Sequence, residues 1–142
     1  MKPGVLVCVV VVAFLGCRKE AGNAPGPSAV SDVDLKLIGM AYHSHAALNP
    51  GRAPTQLAEL QPYLAQHADE KRAYEHLKNG TVVFLFGVPL KELEAAGRAG
   101  ATVIAYDRLT PKQGGWAALA DGSVRRFTKE EFGAASLAKA KP

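Results

Sequence analysis

Two histidines near the end of the first third of the chain, His43 and His45, are the residues best suited to bind a metal ion. Imidazole nitrogen is a common zinc ligand, but residues two positions apart on a helix point about 200° away from each other. A helix therefore cannot direct both rings at one ion, whereas positions four apart could share one. Ser44 between them lacks the Gly-x-Ser-x-Gly turn of the hydrolases. We therefore predict no catalytic residue here and treat the two histidines as weak candidates for contact with a partner.

Paired carboxylates are the next groups that could do chemistry. Glu92 and Glu94 lie close together, and Glu130 and Glu131 open a predicted helix, where negative charge suits the helix dipole. Both pairs are explained as charged side chains that face water, so they do not require a glycosidase site. Trp116, at the start of a predicted strand, is more typical of a core or a sheet face than of a ligand platform. It is the third weak candidate for an interaction.

Composition argues against several classes of protein. The chain has 142 residues and a formal net charge of +4, and its only compact basic group is Arg125, Arg126 and Lys129. This group lacks the repeated interleaving with aromatic residues that single-stranded nucleic acid binding uses. We predict no nucleic acid partner and no cofactor. A content of 48% apolar and 21% charged residues is typical of a folded chain, and the length allows one domain.

The start of the chain has the three-part layout of a signal peptide. Lys2 supplies a positive charge, residues 5–15 are an apolar run, and Gly16 and Cys17 precede a polar segment. The run is shorter than the roughly 20 apolar residues that a spanning helix needs. Residues 1–16 are therefore predicted to be a signal peptide. The alternatives are an uncleaved N-terminal anchor and an ordinary secreted protein.

The sequence Phe14-Leu15-Gly16-Cys17 resembles the lipobox of bacterial lipoproteins. The resemblance implies cleavage before Cys17 and a lipid on its thiol, and two or more acyl chains hold a protein stably on a membrane. Cys8 would be removed with the leader, so the mature chain could form no internal disulfide. Residues 17–30 are predicted to be the lipidated cysteine and a Gly/Pro-rich flexible tether. The expected location is the cell envelope, with the domain facing the periplasm or the exterior.

Helices are predicted in the first half of the remaining chain. Ser31 and Asp34 form a capping pair for a helix that runs to about Leu48, before Asn49-Pro50-Gly51. Thr55 is predicted to cap a shorter helix carrying residues 57–64, in which Pro62 either produces a kink or starts a new turn. A third helix is predicted over residues 69–78.

Strands are predicted in the second half, with β-branched or aromatic runs at residues 81–86 and 102–106 and a helical turn between them on Leu90 and Leu93. Residues 116–120 and 123–127 flank Asp121-Gly122, a strong hairpin signal. Thr128 is predicted to cap a last helix over residues 129–138. Helices first and strands afterwards predict an α+β fold with a small antiparallel sheet, a C-terminal hairpin and a final helix, in one domain over residues 31–142.

The segments 34–43 and 120–124 together resemble the prepilin-like family of bacterial proteins related to type II secretion pseudopilin G. The resemblance implies a pilin-like fold. Two features differ from the family: Cys17 and the tether interrupt its long N-terminal helix, and Pro111 stands where members often have a histidine ten positions before the hairpin Asp121. The resulting prediction is a non-enzymatic, lipid-anchored envelope protein that binds other envelope or secretion proteins. The alternative is a small envelope hydrolase or metal-binding protein that uses His43 and His45.

Overall fold

A computed structural model describes residues 29–139, which form an α+β fold, as the sequence predicts. The predicted signal peptide, Cys17 and nearly all of the predicted tether lie outside the described residues. The helices are α1 Asp32–Leu48, α2 Ala68–Lys78, α3 Leu90–Ala95, α4 Thr110–Gln113 and α5 Lys129–Ala134. The strands are β1 Val82–Phe84, β2 Thr102–Asp107, β3 Gly115–Leu119, β4 Val124–Phe127 and β5 Ser136–Leu137. Short 3-10 turns occupy Leu57–Glu59, Gln61–Tyr63 and Ala99–Ala101.

The five strands form a single sheet in which β1, β2, β3 and β4 are neighbours in that order and antiparallel. β5 runs parallel to β2 and pairs with its first two residues, opposite the edge that β3 occupies. β1 pairs with residues 105–107 of β2, so β1 and β5 share the same edge of this central strand.

Two apolar clusters lie on the two faces of the sheet. The larger cluster lies under α1 and contains Leu35, Ile38 and Tyr42, and the smaller one packs Phe127 against Phe132 of α5. Side chains in β3 alternate between the clusters, because successive residues of a strand point to opposite faces. α1 therefore has one face buried against the sheet and the opposite face directed away from it.

The predicted limits of α1 are confirmed. The Ser31 hydroxyl accepts a hydrogen bond from the backbone N–H of Asp34 at 3.1 Å, and the Asp34 carboxylate accepts one from the backbone N–H of Ser31 at 2.9 Å. At the other end, both the backbone and the side chain of Asn49 donate to the carbonyl of His45. The helix over residues 69–78 is also confirmed, as α2, and so is the helical turn on Leu90 and Leu93, as α3.

The predicted helix over residues 57–64 is wrong. Two 3-10 turns replace it, and Pro62 lies in the second of them, so of the two possibilities it starts a new turn. Proline has no N–H to continue an α-helical ladder, and its ring crowds the preceding turn. Thr55 does not cap the segment with its side chain. Instead, the Glu59 carboxylate accepts a hydrogen bond from the backbone N–H of Thr55 at 2.6 Å.

The last predicted helix is too long. Thr128 caps it as expected, with its hydroxyl accepting from the N–H of Glu131 at 3.1 Å, but α5 ends at Ala134. Ala135 is extended, and the following residues pair with β2 as β5. The N–H of Ala138 donates to the carbonyl of Val103 at 2.9 Å. Unpaired backbone at the edge of β2 thus overrides the helical preference of this alanine-rich segment.

The predicted hairpin is confirmed, but its turn differs in one respect. Within the turn, only Gly122 adopts a positive φ, of 85°, and every other residue with a positive φ within residues 29–139 is also a glycine. The N–H of Gly122 donates to the carbonyl of Leu119, and the N–H of Leu119 donates to the carbonyl of Ser123. This is a turn followed by a left-handed glycine, not a two-residue turn in which Asp121 would also be left-handed.

Candidate functional site

The structure places His43 and His45 on different sides of α1. The ring of His43 lies against the hairpin turn, where a Cβ atom added to Gly122 would be 3.4 Å from its Nε2 atom. His45 is only 4% exposed and meets the ring of Tyr63 edge-on, with 6.3 Å between ring centroids. Within residues 29–139, no group of three or more His, Cys, Asp or Glu residues is placed to hold a metal ion.

His43 lines a surface pocket. This pocket has a volume of about 220 Å³, and Arg52, Lys91 and Glu94 contribute charged groups to its lining. The Nε2 atom of His43 is buried and has no hydrogen-bond partner among the described residues. His43 and Glu94 are the groups in this pocket suited to proton transfer. Within this pocket the hydrolase alternative would pair His43 with Glu94, since the ring of His45 faces Tyr63 instead.

Tyr42 lies beneath this region and is almost fully buried. Its hydroxyl donates to the carbonyl of Val88 at 2.8 Å. Burial, with a smaller contribution from the negative charge of Glu94, raises the pKa of Tyr42 to about 12. The phenol therefore stays protonated and connects α1 to the segment that leads into α3.

Replacing Tyr42 with phenylalanine should lower the free energy of unfolding by about 1–2 kcal/mol, because the buried carbonyl of Val88 loses its donor.

The raised pKa of Tyr42 also makes the stability of the protein depend on pH, because the folded state favours the protonated phenol. Its contribution is complete below the unfolded-state pKa of about 10 and is lost as the pH rises towards 12. Urea unfolding at pH 8 and pH 11 tests this. A Y42F variant that loses as much stability as the wild type between these pH values would contradict the assignment.

Trp116 is half-buried on the α1 face of the sheet, where it packs against the larger apolar cluster. Its cross-strand partner is Arg126, whose guanidinium lies 5.8 Å from the centre of the indole ring. Arg125 points to the other face and lies 4.3 Å from the centre of the Phe127 ring. The two arginines that are adjacent in the sequence are therefore separated by the sheet.

A buried polar cluster that the sequence analysis missed joins α1 to α2. Asp34 is 1% exposed, and its carboxylate accepts hydrogen bonds from the Ser31 hydroxyl at 2.7 Å and from Arg72 Nε at 2.8 Å. His76 Nε2 lies 3.7 Å from the same carboxylate. We call Ser31, Asp34, Arg72 and His76 the Asp34 cluster. Burial acts to raise the pKa of Asp34, but the hydrogen bonds from Ser31 and Arg72 outweigh it and hold the pKa below its usual value.

The Asp34 cluster contains a serine, a histidine and an aspartate, but its connections are not those of a serine hydrolase. In a catalytic triad the histidine lies between the other two and accepts the hydroxyl proton. Here the Ser31 hydroxyl donates directly to the Asp34 carboxylate, which also forms half of the helix cap. The arrangement holds the start of α1 against α2, and no histidine accepts the hydroxyl proton of Ser31.

A mostly apolar groove of about 300 Å³ runs beside β1. β1 is the first strand in the sheet order, so one of its edges is not paired with another strand of the described sheet. The carbonyl of Thr81 accepts a hydrogen bond from the N–H of Arg108, and the N–H of Leu85 donates to the carbonyl of Ile104. Because the backbone groups of successive residues point to alternate edges of a strand, those of Val82 and Phe84 point away from β2. The only charged side chain in the lining is Arg108, which forms no ion pair within residues 29–139.

Comparison with known protein families, with curated proteins and with solved structures found no match to this chain. The resemblance to the prepilin-like family therefore stays a hypothesis based on the segments 34–43 and 120–124. No helix within residues 29–139 has the length and apolar character needed to cross a membrane.

Proposed function

We propose that this chain is a bacterial lipoprotein that is anchored through Cys17 and presents a non-catalytic α+β domain to other proteins of the cell envelope. One observation carries the anchor: the apolar run of residues 5–15 leads to Gly16-Cys17, and a Gly/Pro-rich segment follows up to the start of the domain. The domain begins at Val30, which is 2% exposed and belongs to the larger apolar cluster. The predicted tether, residues 17–30, therefore overlaps the folded core by one residue, Val30.

The geometry of the domain supports binding in preference to catalysis. Its most elaborate polar arrangement, the Asp34 cluster, connects two helices. The groove beside β1 offers apolar surface next to strand backbone that faces away from the sheet, a combination that suits an extended peptide added to a sheet edge. Arg108 at this groove would favour a peptide with a nearby carboxylate.

Mass spectrometry of the mature N-terminus tests the anchor. We expect the first residue to be Cys17, carrying the added mass of a diacylglyceryl group, and we expect a C17S chain to lack that mass and to leave the membrane fraction. An unmodified Cys17 in the wild-type protein, or a retained Met1, would contradict the proposal.

A second candidate function is hydrolysis at the pocket of His43 and Glu94. The observation in its favour is the buried Nε2 atom of His43, which has no hydrogen-bond partner among the described residues. Turnover of an ester or peptide substrate by the purified protein, abolished by both H43A and E94Q, would favour this candidate. Activity that both variants retain would have to come from another site.

A further inference from the structure

The side of α1 that faces away from the sheet carries a stripe of apolar side chains. Among the large hydrophobic residues of this helix, Val33 is 49%, Met40 56% and Leu48 71% exposed. At 100° per residue these three positions fall within about 80° of one another around the helix. Leu37, which is partly buried, lies between them in angle. We call these four residues the α1 outer stripe.

α1 is therefore apolar on two sides. Its inner side is buried in the larger cluster through Leu35, Ile38 and Tyr42. A helix on the surface of a soluble domain usually has one apolar side and one charged side, whereas a helix that is apolar all round is usually covered on both. Contact with a second apolar surface, in addition to the core, would therefore stabilise α1 by covering the α1 outer stripe.

The position of α1 in the chain places it near the predicted lipid anchor. Only the 12 residues 18–29 separate Cys17 from the buried Val30, which directly precedes the helix cap. A Gly/Pro-rich chain of this length has an end-to-end distance of about 20 Å and cannot exceed about 40 Å. A lipid on Cys17 would therefore keep the start of α1 at an average distance from the bilayer comparable with the length of the helix, which is about 25 Å.

The charges on α1 fit the same surface. Of the two carboxylates on α1, Asp34 points inwards to Ser31 and Arg72, and Asp32 is exposed at the first residue of the helix, about 100° around the axis from Val33. Lys36 is exposed on the outward side of the helix. The angular range of the stripe also includes the exposed Ser44, but it contains no charged residue, so no anion within it would be repelled by acidic headgroups.

We propose that α1 lies flat on the surface of the bilayer that holds the lipid, with the α1 outer stripe at the boundary between headgroups and acyl chains. This inference rests on the proposed lipidation of Cys17. The stripe would add a second contact to the lipid and fix the orientation of the domain, because a domain held by a tether alone could rotate freely.

The test uses the full mature lipoprotein in vesicles of phosphatidylethanolamine and phosphatidylglycerol. Because the lipid occupies the Cys17 thiol, M40C introduces a single free thiol for a nitroxide label. K112C is the matched control, since Lys112 is exposed and lies on α4, a separate helix that contacts α5. The label at position 40 should collide with a water-soluble nickel chelate at no more than about a third of the rate at position 112, and more often with oxygen.

The outcomes separate this inference from the proposed function. Equal nickel collision rates at the two positions, in protein that floats with the vesicles, would overturn docking of α1 and leave the anchor intact. Protein that does not float would overturn both. Low nickel access at position 40 together with spin–spin broadening would show that a second copy covers the stripe, which would also overturn the proposal. Met40 is exposed, so the labelled chain should unfold at the same temperature as the wild type.

Discussion

Replacing Asp34 with alanine is expected to lower the free energy of unfolding by about 3 kcal/mol, with a fall in melting temperature of about 10–15 °C. The change removes half of the cap of α1 and the acceptor for two further hydrogen bonds, from the Ser31 hydroxyl and Arg72 Nε. It also leaves a cavity at a position that is 1% exposed. Thermal and urea unfolding followed by circular dichroism measure the effect.

D69A is the matched control for this variant. Asp69 also forms an ion pair with Arg72, at 2.7 Å, but its side chain is 63% exposed and lies outside the core. Exposed pairs contribute little, so D69A should change stability by less than about 0.5 kcal/mol. Equal losses in D34A and D69A would show that the charge of Arg72, and not the buried carboxylate, determines the effect.

The pH dependence of stability should change in the same variant. Because the folded-state pKa of Asp34 lies below its usual value of 3.8, its contribution is complete above that value and is lost as the pH falls through the folded-state pKa. Wild-type stability should therefore decrease below about pH 4, and the decrease should be smaller in D34A. Some dependence should persist, since hydrogen bonds also lower the pKa values of Glu59 and Asp121. Identical acid profiles for wild type and D34A would contradict the assignment.

Replacing Gly114 with alanine is expected to destabilise the protein by about 3 kcal/mol or more. Gly114 has a φ of 77°, and an added Cβ would lie 2.7 Å from the backbone carbonyl oxygen of Phe127 and 3.2 Å from Cα of Thr128. Both contacts are with backbone, so neither can be relieved by rotating a side chain. The junction between β4 and α5 would have to move away from the start of β3.

G97A separates the cost of backbone conformation from the cost of the clash. Gly97 also has a positive φ, of 64°, but an added Cβ would meet nothing within 4 Å. The expected loss is about 1 kcal/mol, the usual cost of a left-handed conformation for a residue with a Cβ. Urea unfolding of both variants measures the difference. If G114A lost no more stability than G97A, the close approach of the β4–α5 junction would be contradicted.

Local patterns were sufficient to predict much of the fold. The cap of α1, the limits of α2, the cap of α5 and the hairpin glycine each depend on residues within a few positions of one another. The α+β class followed from the change from helical to strand-like patterns near residue 81. The prediction that His43 and His45 point apart also needed only the geometry of a helix.

The candidate site could be predicted only in part. The sequence identified His43 only as a weak candidate for contact with a partner, and its neighbours Arg52, Lys91 and Glu94 come from other parts of the chain. Asp34 was predicted as a helix cap, and nothing in the sequence indicated that Arg72, 38 positions away, would bind it. A buried carboxylate requires a partner, but the partner is chosen by the packing of α1 against α2.

The sequence by itself determined the features that short-range chemistry controls, which are the capped helices and the glycine-dependent hairpin, and it predicts an apolar leader with Cys17 and a tether. Tertiary structure decided which long-range partners those elements meet. The segment after Ala134 became β5 because β2 offered unpaired backbone there, and Asp34 became the centre of a buried cluster because α2 packs beside α1. Hydrogen bonds and burial between distant residues depend on the whole fold, whereas caps and turns depend on a few consecutive residues.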